Sequence, residues 1–240
     1  MRDDIPQANE EPVYLAIRRK ICEGIERGVY PAGSAIPSEN QLAREFGTTR
    51  RMVRNAVDAL VEQGAIRRVM GKGAFVVPDM RMDDSVLGGF REAVRMSDGV
   101  PSVRVVGTSH RSAGPYYAKI FRIDPHDTLY AIRRLNSVDD APVSLESTLI
   151  PVKFFEGIED VDISVFSLYE TYEMRGRKVV LAQEKIDVEA VGTRDAGLLG
   201  MRPGSLALVL ESLSFDASGQ VIEYARSLNR GDRGGYTYQY

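Results

Sequence analysis

The chain of 240 residues contains one cysteine, Cys22, and two histidines, His110 and His126. That inventory cannot build a Cys/His zinc cage within one chain, and it argues against a Ser–His or Cys–His catalytic pair. Basic and acidic side chains offer more. Arg50, Arg51 and Arg54 crowd together, and Lys72 sits between Gly71 and Gly73. A guanidinium is a planar fork that can bond guanine O6 and N7, or two oxygens of a phosphate. A lysine between glycines puts a point charge where the backbone itself can approach a polyanion. Further on, Leu145-Glu146-Ser147 and Ile222-Glu223-Tyr224 each set one carboxylate in an otherwise strand-like run. Such a position is either outward and solvated or turned into a pocket, and both readings stay open.

The arginines need an element to aim them. Tyr14, Ile17, Ile21 and Ile25 recur at helical steps, which predicts a helix from about Pro12 to Arg27, closed by Gly28 and the Pro31-Ala-Gly33 turn. Pro37-Ser-Glu-Asn-Gln41 opens a second helix, in which Ser38 and Gln41 have the spacing of a capping box. Leu42, Ala43 and Phe46 form its inner side and Gly47 ends it. A third helix starts at Thr49, its expected N-cap, with Val53, Ala56, Val57, Leu60 and Val61 inward and the arginines outward near its start. Gly64 suits the C′ position. Ala65–Val69 and Ala74–Val77 then flank Gly71-Lys-Gly73 as a hairpin with a basic tip. Outward arginines are ordinarily a solvated face, and Gly-Lys-Gly is ordinarily a turn. The order of capped helix, glycine turn, arginine-rich capped helix and basic hairpin points to a helix-turn-helix with a wing.

Charge follows the same division. Residues 11–77 hold eleven Lys or Arg against seven Asp or Glu, whereas residues 78–240 hold nineteen against twenty-four. The overall charge of −3 therefore averages a basic amino-terminal third and an acidic remainder. With 43% hydrophobic and 27% charged residues the chain reads as globular, and one cysteine excludes an internal disulfide. The polar start and the lack of any apolar run near the ~20 residues of a membrane span lead to the expectation of a cytoplasmic protein.

Polar, unpatterned residues 78–86 read as a linker, and residues 87–240 as a second domain. Strands are expected at Leu129–Val138, Pro142–Ile150, Val179–Val191, Leu206–Phe215 and Val221–Leu228, with Asp139-Asp-Ala141 and Asp216-Ala-Ser-Gly219 as hairpin turns. Short helices are expected at Gly88–Arg95, Pro115–Phe121, Val165–Met174 and Thr193–Leu199. The fold class is α+β, an antiparallel sheet with helices packed on it.

Residues 11–77 closely resemble the winged-helix domain of the GntR family of bacterial transcription regulators. The resemblance is carried by Pro12-Val-Tyr14, Pro31 to Glu39, Leu42-Ala43, Phe46-Gly47, Arg50, Val53-Arg54, Ala56, Leu60, Gly64 and Gly71-Lys-Gly-Ala-Phe-Val76. Met52 stands where the family usually has Thr, and Asn40 where a basic residue is common. The resemblance implies that Arg50, Arg51 and Arg54 reach the groove or its phosphates, with Gly71 and Lys72 at the wing; the capping residues Ser38 and Thr49 and the wing residue Gly73 are further DNA-binding candidates. The second domain resembles the UTRA ligand-binding domain of the HutC subfamily, similar in fold to chorismate lyase. It does so through Leu135 to Glu146, Ile150-Pro151, Ser167-Leu-Tyr169, Glu223-Tyr-Ala-Arg226-Ser227 and Arg230-Gly-Asp-Arg233. By that resemblance Arg134, Glu146, Ser167, Tyr169 and Glu223 line an effector pocket, and the domain also dimerises. The second basic position of sugar-phosphate-responsive members is Asn136 here, an aromatic near the end is Asn229, and the polar pair before Phe90 is Gly88-Gly89. These departures point away from an amino-sugar phosphate and toward another small anionic metabolite.

The function expected is that of a repressor. It would bind a pseudo-palindromic double-stranded operator as a homodimer and be released when an effector occupies the second domain. One recognition helix reads only a few base pairs, so two-fold pairing is needed for useful affinity. No cofactor, metal or catalytic residue is expected. The alternatives are an effector-independent DNA-binding protein and, less favoured, a lyase-like enzyme using the carboxy-terminal pocket.

Overall fold

The computed structural model describes residues 13–77 and 100–233. The chain divides into two compact units, Met1–Met82 and Asp83–Tyr240. The expected linker, the helix expected at Gly88–Arg95 and the Gly88-Gly89 pair lie outside the described residues, as does Pro12.

In the first unit, α1 (Val13–Glu26) buries Ile17 and Ile21. Helix α2 (Glu39–Glu45) starts with the expected capping box: the Gln41 N–H donates to Ser38 Oγ at 3.3 Å and the Ser38 N–H to Gln41 Oε1 at 2.8 Å. Gly47, with φ +57°, turns the chain into α3 (Arg50–Glu62), whose N-cap Thr49 accepts the Met52 N–H at 3.4 Å. Val53, Ala56, Val57 and Leu60 are fully buried against Ile17, Ile21, Ile36 and Leu42. Gly64, at φ +73°, ends α3: its N–H donates to the Val61 carbonyl and that of Ala65 to the Leu60 carbonyl, satisfying two terminal acceptors.

Strands β1 (Ile66–Val69) and β2 (Gly73–Val76) form the expected hairpin, Ile66 facing Val76 and Val69 facing Gly73. Residues 33–36 do more than close α1. Gly33 and Ile36 donate to the Val76 and Ala74 carbonyls and Ser34 accepts from Val76, each at 2.9 Å, and Ala35 bridges to Phe75. The segment before α2 therefore runs along β2, joined to it by an isolated bridge, which fixes where α2 begins.

The second unit is a six-stranded antiparallel sheet of order β3-β4-β5-β8-β7-β6. Its strands are β3 (Pro101–Ser112), β4 (Thr128–Val138), β5 (Ala141–Pro151), β6 (Val179–Ala190), β7 (Leu206–Asp216) and β8 (Val221–Asn229). The β4–β5 turn has positive φ at both Asp139 and Asp140, the geometry whose twist suits adjoining antiparallel strands. Across the β7–β8 turn, Asp216 accepts the Ser218 and Gln220 N–H groups at 2.9 and 3.1 Å.

Helices α4 (Gly114–Phe121) and α6 (Thr193–Leu199) cover one sheet face through Phe121, Leu129 and Leu149 and through Leu199, Leu135, Leu145 and Val209. Helix α5 (Leu168–Met174) packs with Tyr130, Ile132 and Ile150. It begins three residues later than expected. Ser167 is its N-cap, in a capping box with Glu170, while buried Val165 and Phe166 close a turn on the Asp162 carbonyl. Strand β3 was not anticipated, because at the sheet edge few of its residues are buried and its hydrophobic alternation is weak.

Among the described residues no helix is long and apolar enough to cross a membrane, and no group of three or more His, Cys, Asp or Glu is placed to hold a metal. Leu60→Ala should cost the first unit about 2–5 kcal/mol, measured by denaturant unfolding. A loss well under 1 kcal/mol would contradict its place at the centre of that core.

Candidate DNA interface and effector cluster

Arg50, Arg51 and Arg54 are exposed in the first turns of α3, where the helix dipole favours a phosphate. Ser38 and Thr49 reach this surface as caps. At the wing tip, Gly71 and Gly73 hold φ of +76° and +115°, a region that favours glycine, and Lys72 between them is exposed. A cleft of about 400 Å³ separates the start of α2 and α3 from the hairpin, with Ser38, Asn40, Arg50, Arg54, Arg68 and Met70 among its walls. Of the expected DNA-facing residues, Ser38, Arg50, Arg54, Gly71 and Gly73 line this cleft, and Thr49, Arg51 and Lys72 do not.

Sequence reasoning missed what orders them. The Glu39 carboxylate accepts from Arg50 Nε at 2.8 Å, from Arg54 Nε and Nη2 at 3.3 and 3.0 Å, and from Arg68 Nη2 at 3.2 Å. Arg68, on β1, also pairs through Nη1 with Asp58 of α3 at 2.7 Å. The hydrogen bond from Arg54 leads the influences that hold the Glu39 carboxyl below its usual range, against the opposing effect of partial burial. The Glu39 side chain is 19% exposed, so this pairing is screened less than a free surface pair. Glu39 and Arg68 lie 29 positions apart. Only the folded return of the hairpin onto α2 joins them.

In the second unit, strand pairing sets Arg134 opposite Glu146 and Asn136 opposite Ser144, while Glu223 faces Ser214 across β7 and β8. Arg134 donates through Nη2 to Glu146, which also accepts from Thr148 Oγ1 at 2.8 Å. Asn136 Nδ2 donates to Ser144 Oγ at 3.0 Å. Glu223 accepts from the Tyr172 hydroxyl and from Ser214 Oγ, the latter at 2.8 Å, and the Tyr169 hydroxyl lies 3.4 Å from Ser214 Oγ. Arg134, Glu146, Tyr169 and Glu223 therefore belong to one buried polar cluster. Ser167 is committed elsewhere as an acceptor, taking the Glu170 N–H at 3.1 Å to cap α5. Tyr172, Ser214, Ser144 and Thr148 were missed, whereas Asn136 was singled out only as a departure from the family. Tyr172 had a visible signal, since it follows Tyr169 by three residues on a helix and shares its face.

Burial raises the cost of every charge in this cluster. It would push Glu146 up, but the Arg134 guanidinium, together with its hydrogen bond and that of Thr148, holds this carboxyl below its usual range. Burial pushes Glu223 up, and the neighbouring Glu146 charge adds to it, against the hydrogen bonds from Tyr172 and Ser214 and the attraction of Arg134. Arg134 Nε and Asn136 Oδ1 are buried without a hydrogen-bond partner among the described residues. A buried group left unmatched is a place where a water, an ion or a ligand could bond.

A raised carboxyl keeps its proton longer in the folded chain than in the unfolded one, so its contribution to stability declines as pH rises above the ordinary value of 4.5. Glu223→Gln removes that titration. The stability of the variant relative to the unaltered chain should increase from acid toward neutral pH, read from thermal melts across that range. A difference that stays flat, or grows toward acid, would contradict the assignment.

Each of the two units matches a known protein family. The chain matches the bacterial regulatory proteins of the gntR family over residues 13–76 and the UTRA domain over residues 97–234. It is 28% identical over 231 residues to the HTH-type transcriptional repressor NagR of Bacillus subtilis (strain 168), covering 95% of this chain and 93% of that one. It is 25% identical over 224 residues to a probable fructoselysine utilization operon transcriptional repressor of Escherichia coli (strain K12), covering 92% and 91%. The crystal structure of PhnF from Mycobacterium smegmatis superposes with a TM-score of 0.61 at 26% identity, over 94% of this chain and 97% of that one. A winged helix with exposed arginines, followed by an antiparallel sheet with a buried polar cluster, places the chain in the UTRA-bearing, HutC-type branch of the gntR family of bacterial transcription regulators.

Proposed function

We propose that this regulator is a cytoplasmic repressor that binds a pseudo-palindromic operator as a homodimer and leaves it when a small molecule occupies the polar cluster of the second unit. The observation that carries this reading is the pairing, in one chain, of an arginine-lined recognition helix with a buried cluster that keeps unmatched hydrogen-bonding groups. Arg50, Arg51 and Arg54 meet the groove or its phosphates, Ser38 and Thr49 hold the helix starts against the backbone, and Gly71, Lys72 and Gly73 follow the adjacent phosphates. An anionic group on the effector meets Arg134, and its hydroxyl or amino groups meet Glu223, Glu146 and Tyr169. Ser167 acts by fixing the start of the helix that carries Tyr169 and Tyr172.

Dimerisation through the second unit is supported by β6, a twelve-residue edge strand on which Leu181, Ile186 and Val188 are about half exposed. Effector binding needs to favour the operator-incompetent arrangement by only a few kcal/mol, the ordinary scale of coupling between sites. The chain carries out no reaction of its own in this reading. The cluster's carboxylates are held by Arg134, Thr148, Tyr172 and Ser214.

The test is a fluorescence-anisotropy titration on an operator selected from random duplexes, repeated with panels of small anions, amines and sugars. Arg50→Ala should weaken operator binding by about 1–3 kcal/mol; unchanged binding would remove Arg50 from the interface. Glu146→Gln should bind the operator normally and fail to be released by the compound that releases the unaltered chain. Normal release would take Glu146 out of the effector site, and no release of the unaltered chain by any compound would favour an effector-independent DNA-binding protein.

A further inference from the structure

Glu39 is a carboxylate on a surface that meets a polyanion, where its charge repels phosphate and works against binding. Three guanidiniums nevertheless converge on it from two elements, at 2.8 to 3.3 Å. What each arginine gives up differs. Arg54 turns its side edge to the carboxylate, using both Nε and Nη2. Arg68 is held at both ends, by Glu39 through Nη2 and by Asp58 through Nη1, which ties the wing to α3. Arg50 gives up only Nε, one bond that tethers its guanidinium to the carboxylate, while its terminal Nη1 and Nη2 fork has no partner among the described residues. That end is the one that bonds guanine O6 and N7.

We infer that Glu39 is a positioning residue for sequence reading: it fixes the Arg50 fork toward the bases, braces Arg54 and Arg68 beside it, and discourages contact with phosphate alone. The inference rests on the DNA-binding role of the first unit and adds to it a division of labour among the arginines. Like-charged guanidiniums this close would splay apart without the carboxylate, each toward the nearest phosphate. Removing the charge therefore acts in opposite directions on the two kinds of binding. Non-specific affinity, set by net positive charge, rises. Operator affinity, set by a pre-aimed fork, falls.

Glu39→Gln in the full-length chain tests this, by measuring affinity for the selected operator and for a scrambled duplex at several salt concentrations. The variant should lose about tenfold or more in the ratio of the two affinities, the scale of one misdirected bidentate contact, with scrambled DNA bound at least as tightly as before. In an Arg50→Lys background, which has no Nε to grip, the same substitution should change operator affinity far less. Both affinities falling in parallel, or a ratio unchanged within about twofold, would overturn the inference and leave Glu39 a stabilising residue only. Should Glu39→Gln fail to fold, Glu39→Asp keeps the charge but withdraws it by one methylene, and should likewise lower the ratio; an unchanged ratio in a folded Glu39→Asp would be equally fatal. If the unaltered chain prefers no selected duplex over a scrambled one, the DNA-reading role and this inference fall together.

Discussion

Three cationic side chains from α3 and β1 meet on the Glu39 carboxylate at the start of α2. In the proposed DNA-reading role, the surface of the first unit depends on that convergence. Arginine is useful against DNA because its charge lies on a rigid plane, but the plane sits on a flexible stem with several rotamers to lose. A helix can place the stem; it cannot aim the fork. In the proposed role the carboxylate supplies the aim at the cost of one negative charge. It can do so only because residues 33–36 lie along β2 and bring the first turn of α2 beside the hairpin. Backbone pairing in the wing and side-chain order on the arginine-bearing helix are one construction.

The second unit works from a different constraint. A sheet alternates its side chains between two faces, and here α4 and α6 cover one face with an apolar layer. The other face divides into an apolar part under α5 and a polar part built from Arg134, Asn136, Ser144, Glu146 and Glu223. Buried polar groups are tolerated when they are paired, and most of these are. Two remain unmatched, Arg134 Nε and Asn136 Oδ1. In the proposed function these two atoms are where the effector would bond.

Much of this was legible along the chain, where the signals are local. The capping box at Ser38 and Gln41, the Thr49 cap, Gly64 after α3 and the Gly71–Gly73 hairpin each depend on residues within a few positions of one another. So does the Asp139-Asp140 turn, whose positive φ values suit aspartate better than most residues. The α5 boundary was legible too: Ser167 and Glu170 have capping-box spacing, but the apolar Val165 and Phe166 drew the expected helix start upstream. What stayed hidden was non-local. Glu39 and Arg68, or Tyr172 and Glu223, are partners only after the chain returns on itself. Edge strand β3, with little buried surface, left almost no hydrophobic period to detect. Of the effector candidates, Arg134, Glu146, Tyr169 and Glu223 gather through cross-strand register and α5, a relation that family resemblance could suggest and periodicity could not.

The arrangement of Arg50 on Glu39 can be examined directly in a crystal structure of the full-length chain on its selected operator. The Glu39 carboxylate should still accept from Arg50 Nε at about 3 Å, with the Nη1 and Nη2 fork on the edge of a guanine in the major groove. An Arg50 that has swung off Glu39 to lie against a backbone phosphate would contradict the account.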